Sequence, residues 1–368
     1  MSIGLYLHIP FCASKCPYCD FYSLTTDETT WDAYTAALCS SIERWAERTA
    51  ESADTLYLGG GTPSLLGPDR LTRILTTARR AFHIDDTAEI TLEANPGDDL
   101  PSVFAAFKEA GGNRVSLGMQ SVIPAQLRTL GRRHTVEEAY AAVKAAQTAH
   151  IDNISLDLML GTPDQTADDV RSAVDRCAAW GATHVSAYLL KIEPHTPFGA
   201  MPPSLPDEDT VVALYHTAAD ALEMHGFVQY EISNFARDGH ISRHNTKYWN
   251  GVPYLGIGPS AHSFYDGKRF AYPRDLEAFI RGNEPSAERP ENGDIAEDSP
   301  EEYAMLRLRL TEGLREDEYQ VRFGTPIPAE WRRRAATLPS SLIVCDEDGI
   351  RLTRDGFLVS NAVLARLL

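Results

Sequence analysis

Cys12, Cys16 and Cys19 stand in the run His8-Ile-Pro-Phe-Cys-Ala-Ser-Lys-Cys-Pro-Tyr-Cys-Asp-Phe21. A C-x3-C-x2-C spacing is too crowded for three residues of one helix or strand to converge on a point, so the segment reads as a loop folded around a metal centre. Thiolates are the usual ligands of iron–sulfur clusters, and a cubane normally takes four. Three leave one iron open to a small molecule that binds through nitrogen and oxygen. Structural zinc is the competing reading; it needs four ligands, and only His8 lies close enough in sequence to complete the set. A disulfide would strand one thiol, and no secretory signal is read ahead of the triplet. Phe11, Tyr18, Phe21 and Tyr22 interleave the cysteines, as rings that shield a cluster from water or as ordinary core aromatics.

Something must hold such a loop. Short β-rich runs at Ile3–Ile9, Thr55–Leu58, Glu89–Ala94, Arg114–Met119, Asn153–Leu160 and His184–Ile192 alternate with amphipathic stretches at Trp31–Arg48, Asp69–Phe82, Val136–His150 and Ala167–Trp180. Gly111, Gly112, Gly181 and Gly226 follow the last periodic residues, where helix C-caps belong. The repetition is a βαβ array, so the sheet is expected to be parallel. The periodicity fits an open doubly wound sheet and a six-unit partial barrel equally well.

In either form, ligands sit at the C-terminal ends of the strands. Gly59-Gly60-Gly61-Thr62-Pro63 follows the second strand, and it suits either close backbone approach to a ligand or a tight turn. It lacks the Lys of a phosphate-binding loop and the spacing of a dinucleotide fingerprint. Glu93 ends the third strand, Gln120 follows the fourth, and Arg132 precedes the next long helix. Asp157 lies inside the apolar run Ile154-Ser-Leu-Asp-Leu-Met-Leu160, where a carboxylate is costly to bury without a partner.

The 368 residues can bury a large core, and the formal charge of −18 argues against a nucleic-acid partner. With no run of about 20 apolar residues, an integral membrane protein is not expected, which leaves room for transient membrane contact. A cytoplasmic protein is expected. Cys39, Cys177 and Cys345 sit singly among apolar neighbours and read as small buried hydrophobes. Residues 283–300 are polar and rich in Pro and acid, a linker signature between a core at 1–282 and a tail at 301–368. In the tail, a helix at Glu301–Leu310, a hairpin around Asp346-Glu-Asp-Gly349 and a helix at Leu358–Leu368 suggest a small winged-helix-like α+β module.

The Tyr6-x-His8-Ile-Pro-Phe-Cys12 run with its cysteine triplet resembles the opening of radical S-adenosylmethionine proteins of the coproporphyrinogen III dehydrogenase group, and Arg351-Leu-Thr-Arg-Asp-Gly-Phe-Leu-Val-Ser-Asn361 resembles that family's C-terminal domain. The resemblance implies a partial (β/α)6 barrel. It also implies a [4Fe-4S] cluster on Cys12, Cys16 and Cys19, whose open iron chelates S-adenosylmethionine. The family's cofactor positions correspond to Tyr6, Tyr18, Gly60, Gly61, Thr62, Glu93, Gln120, Arg132 and Asp157. Arg132 suits the methionine carboxylate, Gln120 and Asp157 the ribose hydroxyls, and Glu93 the polar methionine end.

A third constellation is Ser242-Arg-His244-Asn-Thr-Lys-Tyr248-Trp249, followed by Tyr254 to His262. Imidazole is a common axial ligand of haem iron. The H-N-x-x-Y-W string resembles the haem-binding motif of the family's haem chaperone branch, which implies haem at His244, with His262 the competing ligand. Coproporphyrinogen III dehydrogenases carry a further Cys two positions after the last cluster Cys, where Phe21 stands, and an N-terminal extension, where only five residues precede Tyr6. The sequence therefore favours a haem chaperone, monomeric or a homodimer, that delivers haem to apo-haemoproteins at the respiratory membrane. The alternatives are a radical enzyme that decarboxylates coproporphyrinogen propionates, and a zinc-stabilised interaction protein.

Overall fold

In the computed structural model, which describes residues 2–287 and 296–368, the strand runs of the sequence become six parallel strands in chain order. They are β1 (Ile3–Ile9), β2 (Ala53–Gly60), β3 (Glu89–Ala94), β4 (Arg114–Gln120), β5 (Asn153–Leu160) and β6 (His184–Leu189). Helices α1 (Glu28–Thr49), α2 (Gly67–Ala81), α3 (Leu100–Glu109), α4 (Pro124–Thr129), α5 (Val136–Thr148) and α6 (Ala167–Trp180) connect them. Local chemistry sets their starts. Thr135 and Thr166 each accept from the backbone N–H three residues on, at 3.2 Å, while Glu138 and Asp169 reach back to the cap residue's own N–H. At the other end of α6, Gly181 takes the left-handed conformation that stops the helix.

Strand alternation decides between the two architectures. Leu5, Leu7, Leu56, Leu58, Ile90, Leu92, Val115, Leu117, Ile154, Leu156 and Val185 belong to one continuous core, each 1% exposed or less, and every second residue is apolar. The residues between them, Tyr6, His8, Thr55, Tyr57, Glu89, Glu93, Arg114, Ser116, Ser155, Asp157 and His184, are polar or aromatic. Period two sends these to the opposite face. The helices form one layer, with α1 on α2, α2 on α3, α3 on α5 and α6 on α8 (Glu208–Met224), where a doubly wound sheet would carry them on both faces. The result is a partial barrel with an apolar outer face and a polar lumen. Each fully buried aliphatic side chain on the helix side contributes roughly 1.5–3 kcal/mol, so the outer face carries the stability and leaves the lumen free for polar groups.

The sheet does not close. Beyond β6 it continues antiparallel through β8 (Asn234–Ala236) to β7 (Val228–Gln229). On the other side β9 (Tyr254–Ile257) pairs parallel with β1, and β10 (His262–Tyr265), β11 (Lys268–Ala271) and β12 (Ser286–Ala287) follow antiparallel. The short α7 (Pro197–Ala200), α9 (Arg243–Trp249) and α10 (Leu276–Ile280) complete this part. The stretch read as a linker lies partly outside the described residues.

Residues from α11 (Pro300–Arg307) onward gather around a second core that includes Leu308, Leu314, Tyr319, Trp331, Ile350, Phe357 and Leu367. A three-stranded antiparallel sheet orders β13 (Leu314–Arg315), β15 (Gly349–Leu352) and β14 (Ile343–Asp346), with β15 in the middle. The expected hairpin is present, with Asp346 opposite Gly349. Two helices absent from the sequence reading, α12 (Glu316–Phe323) and α13 (Ala329–Ala335), stand beside it, and the closing helix divides at Val359 into α14 (Arg354–Leu358) and α15 (Ser360–Leu367). Among the described residues no helix is long and apolar enough to cross a membrane.

Candidate functional site

The cysteine loop lies across the C-terminal ends of the strands. Its base is stitched by Cys12 N–H to the Leu24 carbonyl at 3.0 Å and Leu24 N–H to the Pro10 carbonyl at 2.8 Å. Gly61 and Thr62 donate their N–H groups to the carbonyls of Ile9 and Phe11 at 2.8 and 2.7 Å, which ties the glycine run to the same base. Gly61 is there for space, because a Cβ would lie 2.5 Å from the Phe11 oxygen. Gly60 is there for conformation, with φ at +108°. Both readings of the glycine run are thus realised together: a tight turn, and backbone brought to the edge of a cavity.

That cavity has a volume of about 590 Å³, and Cys12, Cys16 and Cys19 border it together with Tyr18, Gly60, Gly61, Thr62, Glu93, Gln120, Arg132 and Asp157. One hydrogen-bonded chain crosses its wall. The Cys12 sulfur lies 3.5 Å from the Thr62 hydroxyl, Thr62 accepts from the Asn95 amide at 2.7 Å, Asn95 accepts from Arg132, and Arg132 reaches the Cys16 sulfur at 3.6 Å. Arg132 also donates to the Gly118 carbonyl at 2.7 Å. The guanidinium is therefore fixed beside the sulfurs. Asn95 was missed by the sequence reading, because Asn-Pro-Gly is a turn signal and hides a working amide.

The carboxylates are buried at the cavity's inner end. Glu93 accepts from the Tyr57 hydroxyl at 2.8 Å and the Gly60 N–H at 3.0 Å. Burial outweighs these bonds and pushes its pKa up to about 7, with Asp157 adding to the shift. Burial also raises Asp157, opposed by hydrogen bonds from Ser186 and Ser116. Burial raises the Cys19 thiol as well, reinforced by Cys16 and Cys12. Gln120 holds a φ of +65° at a bulge in β4, a costly conformation for a non-glycine residue, and its Oε1 is buried without a hydrogen-bond partner. A strained residue with an orphaned acceptor at a cavity wall suits a ligand that donates a hydrogen bond.

Three expectations land elsewhere. Tyr6 does not border this cavity; its hydroxyl lies 3.0 Å from His8 Nδ1, deeper in the lumen. His8 is equally unsuited to be a fourth zinc ligand, since its other ring nitrogen meets the Tyr22 carbonyl at 2.8 Å. Among the described residues no three His, Cys, Asp or Glu side chains are arranged around a single ion, and the thiols border a wider space. Phe21 is 67% exposed at the rim of the cavity, whereas Phe11 is fully buried in the core. Cys39 and Cys177 are buried and Cys345 is half-buried.

His244 is at the opposite end of the barrel from the thiols, near the first residues of β1 and β2. It is 1% exposed, with Nδ1 2.8 Å from the Thr55 hydroxyl and Nε2 2.8 Å from the Tyr248 hydroxyl. Its ring stacks on Tyr57 at 5.2 Å, and Glu89 accepts from the backbone N–H groups of Arg243 and His244 at 3.0 and 2.9 Å. Burial first, then Lys247 and Arg114, push its pKa down to about 3. The expectation of an imidazole offered to a ligand is therefore not met in this conformation, because both ring nitrogens are engaged inside the barrel floor.

Tyr248 and Trp249 of the same helix do reach a cavity. It measures about 500 Å³ and runs beside β1 and β9, bordered by Tyr6, His8, Tyr22, Tyr254, His262, Arg269 and Arg274. Asp20 and Phe21 border both cavities, so the cysteine loop is the partition between them. Leu306 of α11 brings the C-terminal unit to the same cleft, and the Arg309 guanidinium lies 5.4 Å over the Trp249 ring.

A partial parallel barrel whose mouth is crossed by a three-thiol loop is the frame of the radical S-adenosylmethionine class. Residues 6–177 match the Radical SAM superfamily and residues 296–359 the HemN C-terminal domain. Heme chaperone HemW of Mycobacterium tuberculosis is 37% identical over 99% of this chain and 94% of its own. The Escherichia coli HemW is 37% identical over 84% and 83%, and that of Bacillus subtilis 31% over 99% and 98%. The solved coproporphyrinogen III oxidase HemN of Escherichia coli superposes with a TM-score of 0.82 over 100% of this chain and 90% of its own, at 21% identity, which shows the shared fold. The chain belongs to the HemW family of radical SAM proteins, and membership implies a [4Fe-4S] cluster and S-adenosylmethionine.

Proposed function

We propose that the chain is a haem chaperone that binds haem and passes it to apo-haemoproteins. The observation that carries this reading is the match along nearly the whole chain to curated haem chaperones. A cleft bordered by aromatic rings and arginines next to the thiol cavity supports it. Cys12, Cys16 and Cys19 hold the [4Fe-4S] cluster. Tyr18, Gly60, Gly61, Thr62, Glu93, Gln120, Arg132 and Asp157 hold S-adenosylmethionine, while Tyr6, paired with His8, borders the neighbouring cleft. When bound, the cluster supplies an electron and an open coordination position for the cofactor's amino and carboxylate groups.

The residues present fit that group. Three thiols border one cavity, Gln120 Oε1 awaits a donor, and the Arg132 guanidinium is locked where a carboxylate would meet it. Glu93, its pKa raised by burial to about 7, is held ionised by a neighbouring ammonium group and so matches the amino end of the ligand. We further propose a division into a core at 1–282, a linker at 283–300 and a C-terminal domain at 301–368, with two separate apolar cores in support. Recipients at the respiratory membrane and a cytoplasmic location belong to the same proposal.

Anaerobic reconstitution followed by separate addition of haem and coproporphyrinogen III tests the reading. The expected result is stoichiometric haem binding, transfer to an apo-haemoprotein and an unchanged porphyrinogen; decarboxylation of the porphyrinogen without haem binding would overturn it.

A further inference from the structure

We infer that Arg274 links the two cavities: it holds the peptide that faces the Cys19 sulfur, and it takes a carboxylate of a ligand lying in the cleft beside β1 and β9. The second half rests on the haem-chaperone reading, which supplies the ligand as a porphyrin bearing propionates; the first half does not. The peptide is the one between Asp20 and Phe21, directly after the last cysteine of the loop. Its carbonyl accepts from Arg274 Nη2. Its N–H bonds to the Cys19 sulfur, which favours the thiolate against the burial that raises it. One planar group thus carries a guanidinium on one edge and a cluster thiol on the other.

The next residue is fixed from elsewhere. Tyr22 has its carbonyl 2.8 Å from His8 Nε2, and its hydroxyl accepts from the Leu276 N–H at 3.0 Å. Among the described residues Arg274 is the group from outside the loop that holds the Asp20–Phe21 peptide, and its hold is exchangeable. Its side chain is 51% exposed at the border of the cleft, the Asp20 carboxylate is a loose 3.8 Å away, and Nη2 makes both contacts, so the guanidinium keeps donors to spare. Flat surface for a porphyrin lies beside it in Tyr248, Trp249 and Tyr22, with the guanidinium 6.0 Å over the Tyr22 ring. A carboxylate that accepts two parallel N–H bonds is a stronger partner than a neutral carbonyl, so a filled cleft draws Arg274 off Asp20. The peptide is then free to turn, and its bond to sulfur weakens. Hydrogen bonds to cluster sulfurs help set the reduction potential, and a donor stabilises the added electron, so the potential falls when the cleft fills. The switch exchanges one hydrogen bond for another and moves no electron.

The test uses the full chain, reconstituted anaerobically, and iron-free protoporphyrin IX, which keeps the cluster's signal separate from that of haem iron. Arg274→Ala is expected to keep the wild-type unfolding temperature, because the side chain is half exposed, and to speed hydrogen exchange at the Phe21 amide, which loss of charge alone would not do. Its cluster should be harder to reduce, by roughly tenfold in the reduced-to-oxidised ratio or about 59 mV for one electron. Arg274→Lys, which can still donate to the Asp20 carbonyl, should restore the slow exchange. Arg274→Ala should bind protoporphyrin IX roughly tenfold more weakly, while the dimethyl ester binds both chains alike. In wild type, saturating protoporphyrin IX should speed Phe21 exchange and lower the potential, and the ester should do neither. Unchanged Phe21 exchange in Arg274→Ala overturns the hold on the peptide. Equal affinity of wild type and Arg274→Ala for protoporphyrin IX overturns the carboxylate assignment and leaves the haem-chaperone reading intact. A wild-type chain that binds neither haem nor protoporphyrin IX overturns that assignment and the reading together.

Discussion

The two ends of the barrel use the same residue types to opposite effect. At the floor, the Glu89 carboxylate is spent on the backbone N–H groups that start α9, and His244 has a partner for each ring nitrogen. At the mouth, Glu93 is buried and driven towards neutrality, Gln120 keeps an orphaned acceptor in a strained conformation, and Arg132 is anchored beside the Cys16 sulfur. The His244 and Glu89 groups are satisfied within the barrel and build it, whereas the Gln120 acceptor is left for a ligand. Substitutions at the floor should therefore cost stability and spare cofactor binding, with the reverse at the mouth.

The largest effect is expected at the loop. Replacing any one of Cys12, Cys16 or Cys19 by Ser should abolish the iron–sulfur chromophore, read as iron and sulfide content after reconstitution. The thermal unfolding of the apo-chain should stay at wild-type values, because the loop's base is held by backbone hydrogen bonds that survive the change. Cluster retention in all three variants would remove the mouth from the comparison.

Next comes the floor. His244→Ala leaves the Thr55 and Tyr248 hydroxyls without a partner and opens a cavity under Tyr57, and together these cost about 3–4 kcal/mol. Urea unfolding checks the loss, and S-adenosylmethionine affinity in the fraction that remains folded should be unchanged. A His244→Ala chain as stable as wild type would show that the floor is not structural.

Glu93 gives a pH signature of similar size. Its folded pKa of about 7 lies above the ordinary value near ~4.3, so between these two values the folded chain keeps a proton the unfolded chain has released. Stability then falls as pH rises from about 4.3 through about 7, by about 3–4 kcal/mol in full. Glu93→Gln should flatten that decline in urea unfolding measured across the window. A decline equally steep in both chains would assign it to other groups.

Much of this was legible in the sequence because period two and the helical period are local signals. β1, β3, β5 and α6 have the bounds their residues suggest. Two features were not legible, for physical reasons. α3 begins Leu100-Pro-Ser-Val-Phe and is short, so its apolar face hides in a brief run; α12 and α13 owe their place to the second core around Trp331. Residue type also says nothing of height along a barrel. The motif of α9 gives no sign that His244 seals the floor while Trp249 reaches the cleft, and Tyr6 borders that cleft and not the thiol cavity. That height is set by register, Gly4 beside Thr55 and Thr55 beside Glu89, a tertiary property.

The smallest effect makes the sharpest test, because its two readouts move in opposite directions. Gln120→Leu removes the buried acceptor that has no partner, and loss of an unsatisfied polar atom should stabilise the chain by about 1 kcal/mol. The same change removes the hydrogen bond that the ligand would supply, so S-adenosylmethionine should bind roughly tenfold more weakly, a loss near ~1.4 kcal/mol. Leu keeps the positive φ and its strain, which restricts the comparison to the amide. If Gln120→Leu were less stable than wild type with unchanged affinity, Gln120 would join His244 among the residues that build the barrel, and the contrast between mouth and floor would fail where the strained residue makes it most explicit.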